Sequence, residues 1–155
     1  KMNAMVALHE AQAADKNAIP LQLDMEGNIT ETQGHNFLFA KNGVVHIPNR
    51  RNVLQGIGMK AALEFCSALG IETVEGDFTP FDVYQSDEAF LTQTSACVVP
   101  VHSVNGIVIG SGQLGPIAKQ LLAAWSEQVG YDVLEQALSH FTPDERQKLE
   151  AVATQ

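Results

Sequence analysis

Residues 37–47 read Phe37-Leu38-Phe39-Ala40-Lys41-Asn42-Gly43-Val44-Val45-His46-Ile47. Two apolar runs flank Asn42-Gly43, a dipeptide that tolerates the positive φ of a two-residue hairpin turn. The sequence therefore predicts a strand over 37–40, a turn, and a returning strand over 44–47. Upstream, Pro20 opens a strand over 21–24, and Glu26-Gly27-Asn28 is a turn in which Gly27 suits positive φ. Residues 2–14 read as an Ala-rich helix with Ala4, Leu8 and Ala11 on one face. Downstream, the loop 48–52 leads to a helix near 56–69, striped by Ala62, Phe65 or Cys66, and Leu69, and closed by Gly70. Strands are predicted over 71–75, 88–92 and 97–101, with one helical turn over 79–84. Asn105-Gly106 is a second turn, before Ile107-Val108-Ile109. The glycine-rich stretch 110–116 opens a helix in which Ile117, Leu121, Trp125 and Val129 recur every four residues, and Gly130 ends it. Thr142-Pro143-Asp144-Glu145 has the cap, the first-turn proline and the capping-box Glu of a helix start. Two hairpins among helices imply a mixed α/β or α+β domain, not a strict βαβ array.

Composition excludes several functions. The 155 residues are one domain's worth, 45% hydrophobic and 17% charged, with a net charge of −9. The densest basic spot is Arg50-Arg51, so nucleic acid and anionic membranes are poor partners. No apolar run approaches the roughly 18 residues of a membrane span. Two cysteines, Cys66 and Cys97, fit a reduced, cytoplasmic protein. The opening Lys1-Met2-Asn3 runs straight into a helix, which suggests a fragment with an upstream part missing.

General motifs find little chemistry. The five histidines show no metal-ligand spacing, and Ser111 lies in Gly-Ser-Gly-Gln, not in a nucleophile elbow. Three longer stretches are more specific. Leu23-Asp24-Met25-Glu26-Gly27-Asn28-Ile29-Thr30-Glu31, followed by Asn36, is the first. Leu54-Gln55-Gly56-Ile57-Gly58 is the second. The third runs from Asp87-Glu88-Ala89-Phe90-Leu91-Thr92-Gln93-Thr94 through Val99-Pro100-Val101 to Ile109-Gly110-Ser111-Gly112 and Gly115-Pro116. In this order and spacing they resemble the class IV pyridoxal-phosphate aminotransferases, the branched-chain and D-amino-acid type.

The resemblance implies the large C-terminal, cofactor-binding domain of that fold, spanning residues 1–155, with pseudo-barrel sheets and flanking helices. It implies a missing N-terminal small domain, pyridoxal 5'-phosphate as cofactor, and transfer of an amino group between an amino acid and a 2-oxo acid. It also implies a homodimer, and an inter-domain apolar surface that this half exposes when isolated, expected at the apolar residues of the first helix and covered in part by another chain. Glu31 holds the family position of the ring-nitrogen partner, where a fixed negative charge keeps that nitrogen protonated. On burial frequencies alone, a Glu after a turn faces solvent. Ile57 and Gly58 offer backbone amides to the phosphate at a helix start. The family carries Thr or Ser where Gly58 stands, so one hydroxyl, worth about 1 kcal/mol, is expected to be lost. Thr94 matches a second phosphate ligand, and Ser95 follows where the family's amides also meet the substrate carboxylate.

The Schiff-base lysine is the exception. Lys1 stands closer to Glu10-Ala11 than the family pattern allows, which puts the matching position a few residues upstream of this chain. Lys16, Lys41, Lys60, Lys119 and Lys148 match no such position. The chain alone is therefore expected to be inactive. Two other readings fit the same residues: an aminodeoxychorismate-lyase-type enzyme, and a non-catalytic module of the same fold, which the glycine at 58 would suit.

Overall fold

The computed structural model describes residues 2–146; Lys1 and Lys148 lie outside them. Helix α1 (Met2–Ala14) precedes four strands, β1 (Leu21–Leu23), β2 (Ile29–Thr32), β3 (His35–Lys41) and β4 (Val44–Pro48). Helix α2 (Ile57–Ala68) then leads to β5 (Thr73–Gly76), the short helix α3 (Pro80–Tyr84), β6 (Glu88–Gln93) and β7 (Cys97–Pro100). A small hairpin, β8 (Ser103–Val104) and β9 (Ile107–Val108), precedes α4 (Pro116–Val129) and α5 (Val133–Ser139). Thr142 opens a further helical turn over 143–146, and the Glu145 carboxylate accepts from its backbone N–H and its hydroxyl, both at 2.8 Å.

Strand β3 is the hub of a seven-stranded sheet. One of its edges pairs along 36–40 with β6, which pairs in turn with β7. The other edge is shared: β2 pairs at its start and β4 at its end. All these pairings are antiparallel; β5 is parallel to β4 and reached through α2. The β3–β4 hairpin turns through Asn42 and Gly43 at φ 53° and 81°, as the Asn-Gly signal requires.

Side chains alternate along a strand, so β3 feeds two cores. Leu38 and Ala40 join Phe90 and Val98 against Met59, Ala62 and Cys66 of α2 and Ile117, Ala118 and Leu121 of α4. Phe37 and Phe39 join Ala89 and Leu91 on the other face with Val83 of α3, Ile29 and Ile109. A strand buried on both faces reads as a continuous apolar run, which accounts for Phe37-Leu38-Phe39-Ala40.

Three local expectations are corrected. Residues 29–32 form strand β2, although no strand is predicted there. Helix α5 is likewise unpredicted. Val129 and Leu69, expected on buried stripes, are exposed. A strict four-residue repeat drifts by about 40° per step on a helix of 3.6 residues per turn, so Val129 has rotated about 120° from Ile117. Helix α1 forms as predicted but has no fully buried residue, and Met2, Met5 and Val6 are exposed.

Candidate active site

Directly opposed residues of antiparallel strands project to the same face. Glu31 of β2 is opposite Asn36 of β3, and Asn36 is opposite Thr92 of β6. Three strands therefore align a polar row, Glu31–Asn36–Thr92, on the face covered by α2. The row opens into a cleft of about 360 Å³ whose lining includes Leu54, Gly56, Ile57, Gly58 and Thr94.

The opposite wall is the N-terminus of α2. The first amides of a helix have no intrahelical partner. Gly56 is the cap residue and provides no side-chain hydrogen bond to them. Gly58 is buried, and a Cβ on it would lie 3.0 Å from the backbone N and C of Gln93. The glycine thus lets the helix start approach the end of β6, beside Thr94. A Ser or Thr here would crowd the Gln93 backbone, so β6 would have to give by a few tenths of an ångström to admit it.

Polar side chains converge on the cleft. The Leu54 N–H donates to Glu31 Oε2 at 2.8 Å, and Asn36 Nδ2 donates to the same oxygen at 3.4 Å. Among the described residues no bond engages Glu31 Oε1. Thr92 is only 2% exposed, and its hydroxyl has no hydrogen-bond partner among them. A buried hydroxyl without a partner is destabilising by about 1–3 kcal/mol. Leu54 and Ile57, each 74% exposed, form an apolar rim. Among the described residues, no Lys or Arg lines the cleft.

Of the residues singled out in the sequence, Glu31, Ile57, Gly58 and Thr94 line this one cleft, while Ser95 stands in the β6–β7 turn and does not. Thr92 was not singled out as a site residue, and Asn36 only as part of the motif. Their role depends on strand register, which joins positions far apart in the chain. Among the described residues no group of three His, Cys, Asp or Glu is placed to hold a metal, and no helix is long and apolar enough to cross a membrane.

Fold and cleft together describe an α+β domain whose sheet presents a polar row to the start of α2. The family model described as "Amino-transferase class IV" matches residues 1–104. The chain is 36% identical over 128 residues to the branched-chain-amino-acid aminotransferase of Pseudomonas aeruginosa, covering 83% of this chain and 41% of that protein. It is 32% identical over 119 residues to the D-alanine aminotransferase of Bacillus licheniformis, covering 76% and 42%. Among solved structures, the branched-chain aminotransferase of Escherichia coli superposes with a TM-score of 0.75 at 32% identity, over 80% of this chain and 42% of that one. The T.th. branched-chain aminotransferase complexed with N-(5'-phosphopyridoxyl)-L-glutamate gives 0.76 at 33%, over 81% and 42%. This chain belongs to the class IV aminotransferase family and has its fold. It spans about two fifths of the length of the relatives it matches.

Proposed function

We propose that residues 2–146 form the cofactor-binding half of a pyridoxal-phosphate transaminase that moves an amino group between an amino acid, of branched-chain or D type, and a 2-oxo acid. The observation that carries this is the polar row Glu31–Asn36–Thr92 facing the uncapped N-terminus of α2 across one cleft. The donor set fits the cofactor: amides of Ile57 and Gly58 and the hydroxyls of Thr92 and Thr94 for a phosphate, and a carboxylate for a ring nitrogen.

Bound pyridoxal phosphate supplies an electron sink for the pair released when the substrate's Cα–H bond breaks. The chain's own residues hold and orient it. Glu31 would hold a proton at the ring nitrogen through the oxygen that Leu54 leaves free. The α2 dipole and first-turn amides would offset the phosphate charge. Leu54 and Ile57 would offer the ring an apolar wall. On this reading the linking lysine lies a few residues before residue 1, and a phosphate-binding Arg comes from a smaller domain. Assembly as a cytoplasmic homodimer completes the reading; buried reduced Cys66 and Cys97 support the compartment, and the exposed apolar residues of α1 support the pairing.

Pyridoxamine 5'-phosphate needs no covalent link, so its binding tests the half-site directly. The expected result is saturable binding by fluorescence, with a thermal shift that grows as RT ln(1 + [L]/Kd). Glu31→Gln should weaken it. Absence of binding at millimolar ligand would leave the non-catalytic module as the better reading.

A further inference from the structure

Asn36 stands at the centre of the row and is 6% exposed. Its amide nitrogen donates to the Leu54 carbonyl at 2.6 Å and to Glu31 Oε2 at 3.4 Å. The Leu54 N–H returns to that same Oε2 at 2.8 Å. Glu31, Asn36 and both polar groups of Leu54 therefore close a ring of hydrogen bonds. On its other side, Asn36 Oδ1 presses on Gly56, where an added Cβ would collide with it. Gly56 is the cap residue of α2, so one side chain touches both the carboxylate and the helix start.

We propose that Asn36 is a positioning residue that ties the Glu31 carboxylate to the 54–58 segment, so that the ring-nitrogen contact and the phosphate cup act as one rigid unit. This rests on the function proposed above. The chemistry favours an amide. Glu31 is half-buried and has three rotatable side-chain bonds to fix, at an entropic cost. Asn has two N–H donors, one for each oxygen it meets, and no charge. An Arg or Lys in its place would fix the carboxylate but offset the charge that keeps a ring nitrogen protonated. An Asp would lack the donors and set a second anion beside the first.

The test uses this chain with pyridoxamine 5'-phosphate labelled with ¹⁵N in the ring. Two quantities are read: the dissociation constant from fluorescence, and the pH at which the bound ring nitrogen titrates, from its ¹⁵N shift. Inorganic phosphate binding, by competition, is read alongside. Glu31→Gln should lower the titration pH by more than about one unit and leave phosphate binding near wild type. Asn36→Ala should weaken the ligand about tenfold and lower the titration pH by about one unit, because Glu31 is present but unplaced. The double variant should fall no more than about threefold below Glu31→Gln alone, since Asn36 acts through Glu31. Asn36→Ser, which keeps one donor, should lie between; if Asn36→Ala loses its circular dichroism signature, this variant carries the comparison. A wild-type titration pH in the folded Asn36 variant, beside a shifted one in Glu31→Gln, would overturn the positioning role and leave the ring-nitrogen role standing. An unshifted Glu31→Gln, or no binding at all, would overturn both.

Discussion

Thr92→Val should make the unliganded chain more stable and its ligand weaker. Thr92 lies inside β6, 2% exposed, and its hydroxyl has no partner among the described residues. Carrying that group into the interior without a bond costs about 1–3 kcal/mol, and valine restores nearly the same shape with a methyl group in a strand that favours β-branching. The expected gain is about 1–2 kcal/mol. For a chain of this length the unfolding entropy near the midpoint is about 0.3 kcal/mol/K, so Tm should rise by about 3–6 °C. The same change removes a donor from the cleft, and one bond to a phosphate oxygen is worth about 1.5–3 kcal/mol. Pyridoxamine 5'-phosphate should then bind at least about tenfold more weakly. Thermal melts with and without the ligand read both quantities on one sample, and the stabilising increment from ligand should shrink in the variant. A loss of about 1 kcal/mol or more in the unliganded variant would show that the hydroxyl is already satisfied. Unchanged affinity would show that it does not face the ligand.

Gly58→Ser, which brings back the family's hydroxyl, should weaken binding instead of improving it, and cost about 1–3 kcal/mol of stability, because its Cβ meets the Gln93 backbone at 3.0 Å; tighter binding in a fluorescence titration would refute this. Glu88, 4% exposed on β6, caps α4 from outside the helix, accepting from Ile117 N–H at 2.8 Å and Ala118 N–H at 3.0 Å. Glu88→Gln keeps one acceptor and loses the charge, so it should cost about 2 kcal/mol and lower the urea midpoint by about 1 M; a midpoint within about 0.2 M of wild type would count against the cap. Asp82 accepts from the Thr79 N–H at 2.7 Å, which holds its carboxyl below the usual value. Its folded pKa is lowered, so its contribution to stability is full above the unfolded value of about 3.9 and disappears as pH falls through the lower folded value. Asp82→Ala should therefore be less stable than wild type at pH 7 and equal to it at about pH 2; a gap that persists in acid unfolding at about pH 2 would assign the effect to packing.

The turns were the most legible part of the sequence. Asn42-Gly43, Asn105-Gly106 and Gly130 take positive φ where their residue types suggested it. Strand β2 was hidden because its buried positions include Thr30 and Thr32, whose hydroxyls bond to the Gln22 and His35 carbonyls. A satisfied threonine can be buried, and the β-branched density of Ile29, Thr30 and Thr32 was the available signal. Helix α5 also had a readable start: Asp132 accepts from the N–H groups of Leu134 and Glu135, and the Asp-x-x-Glu spacing of 132 and 135 resembles a capping box. Within the cleft, Glu31, Ile57, Gly58 and Thr94 were found by resemblance of short motifs. Thr92 was not, because its significance rests on being opposite Asn36 in the sheet and unbonded.

The shared edge of β3 has a consequence for how such a chain tolerates change in length. Thr32 and His35 pair directly, so Gln33-Gly34 is the whole connection between the strand carrying Glu31 and the strand carrying Asn36. Side chains alternate with a period of two, so one residue gained or lost at this turn would send Glu31 to the other face while leaving every residue of the row in the sequence. An extra residue at Asn105-Gly106 would disturb the small β8–β9 ladder and the Asn105–Tyr84 bond but would leave the polar row in register. The number of residues between Glu31 and Asn36 is therefore as much a part of the cleft as the two side chains, and a length change there would dismantle the row without a single substitution.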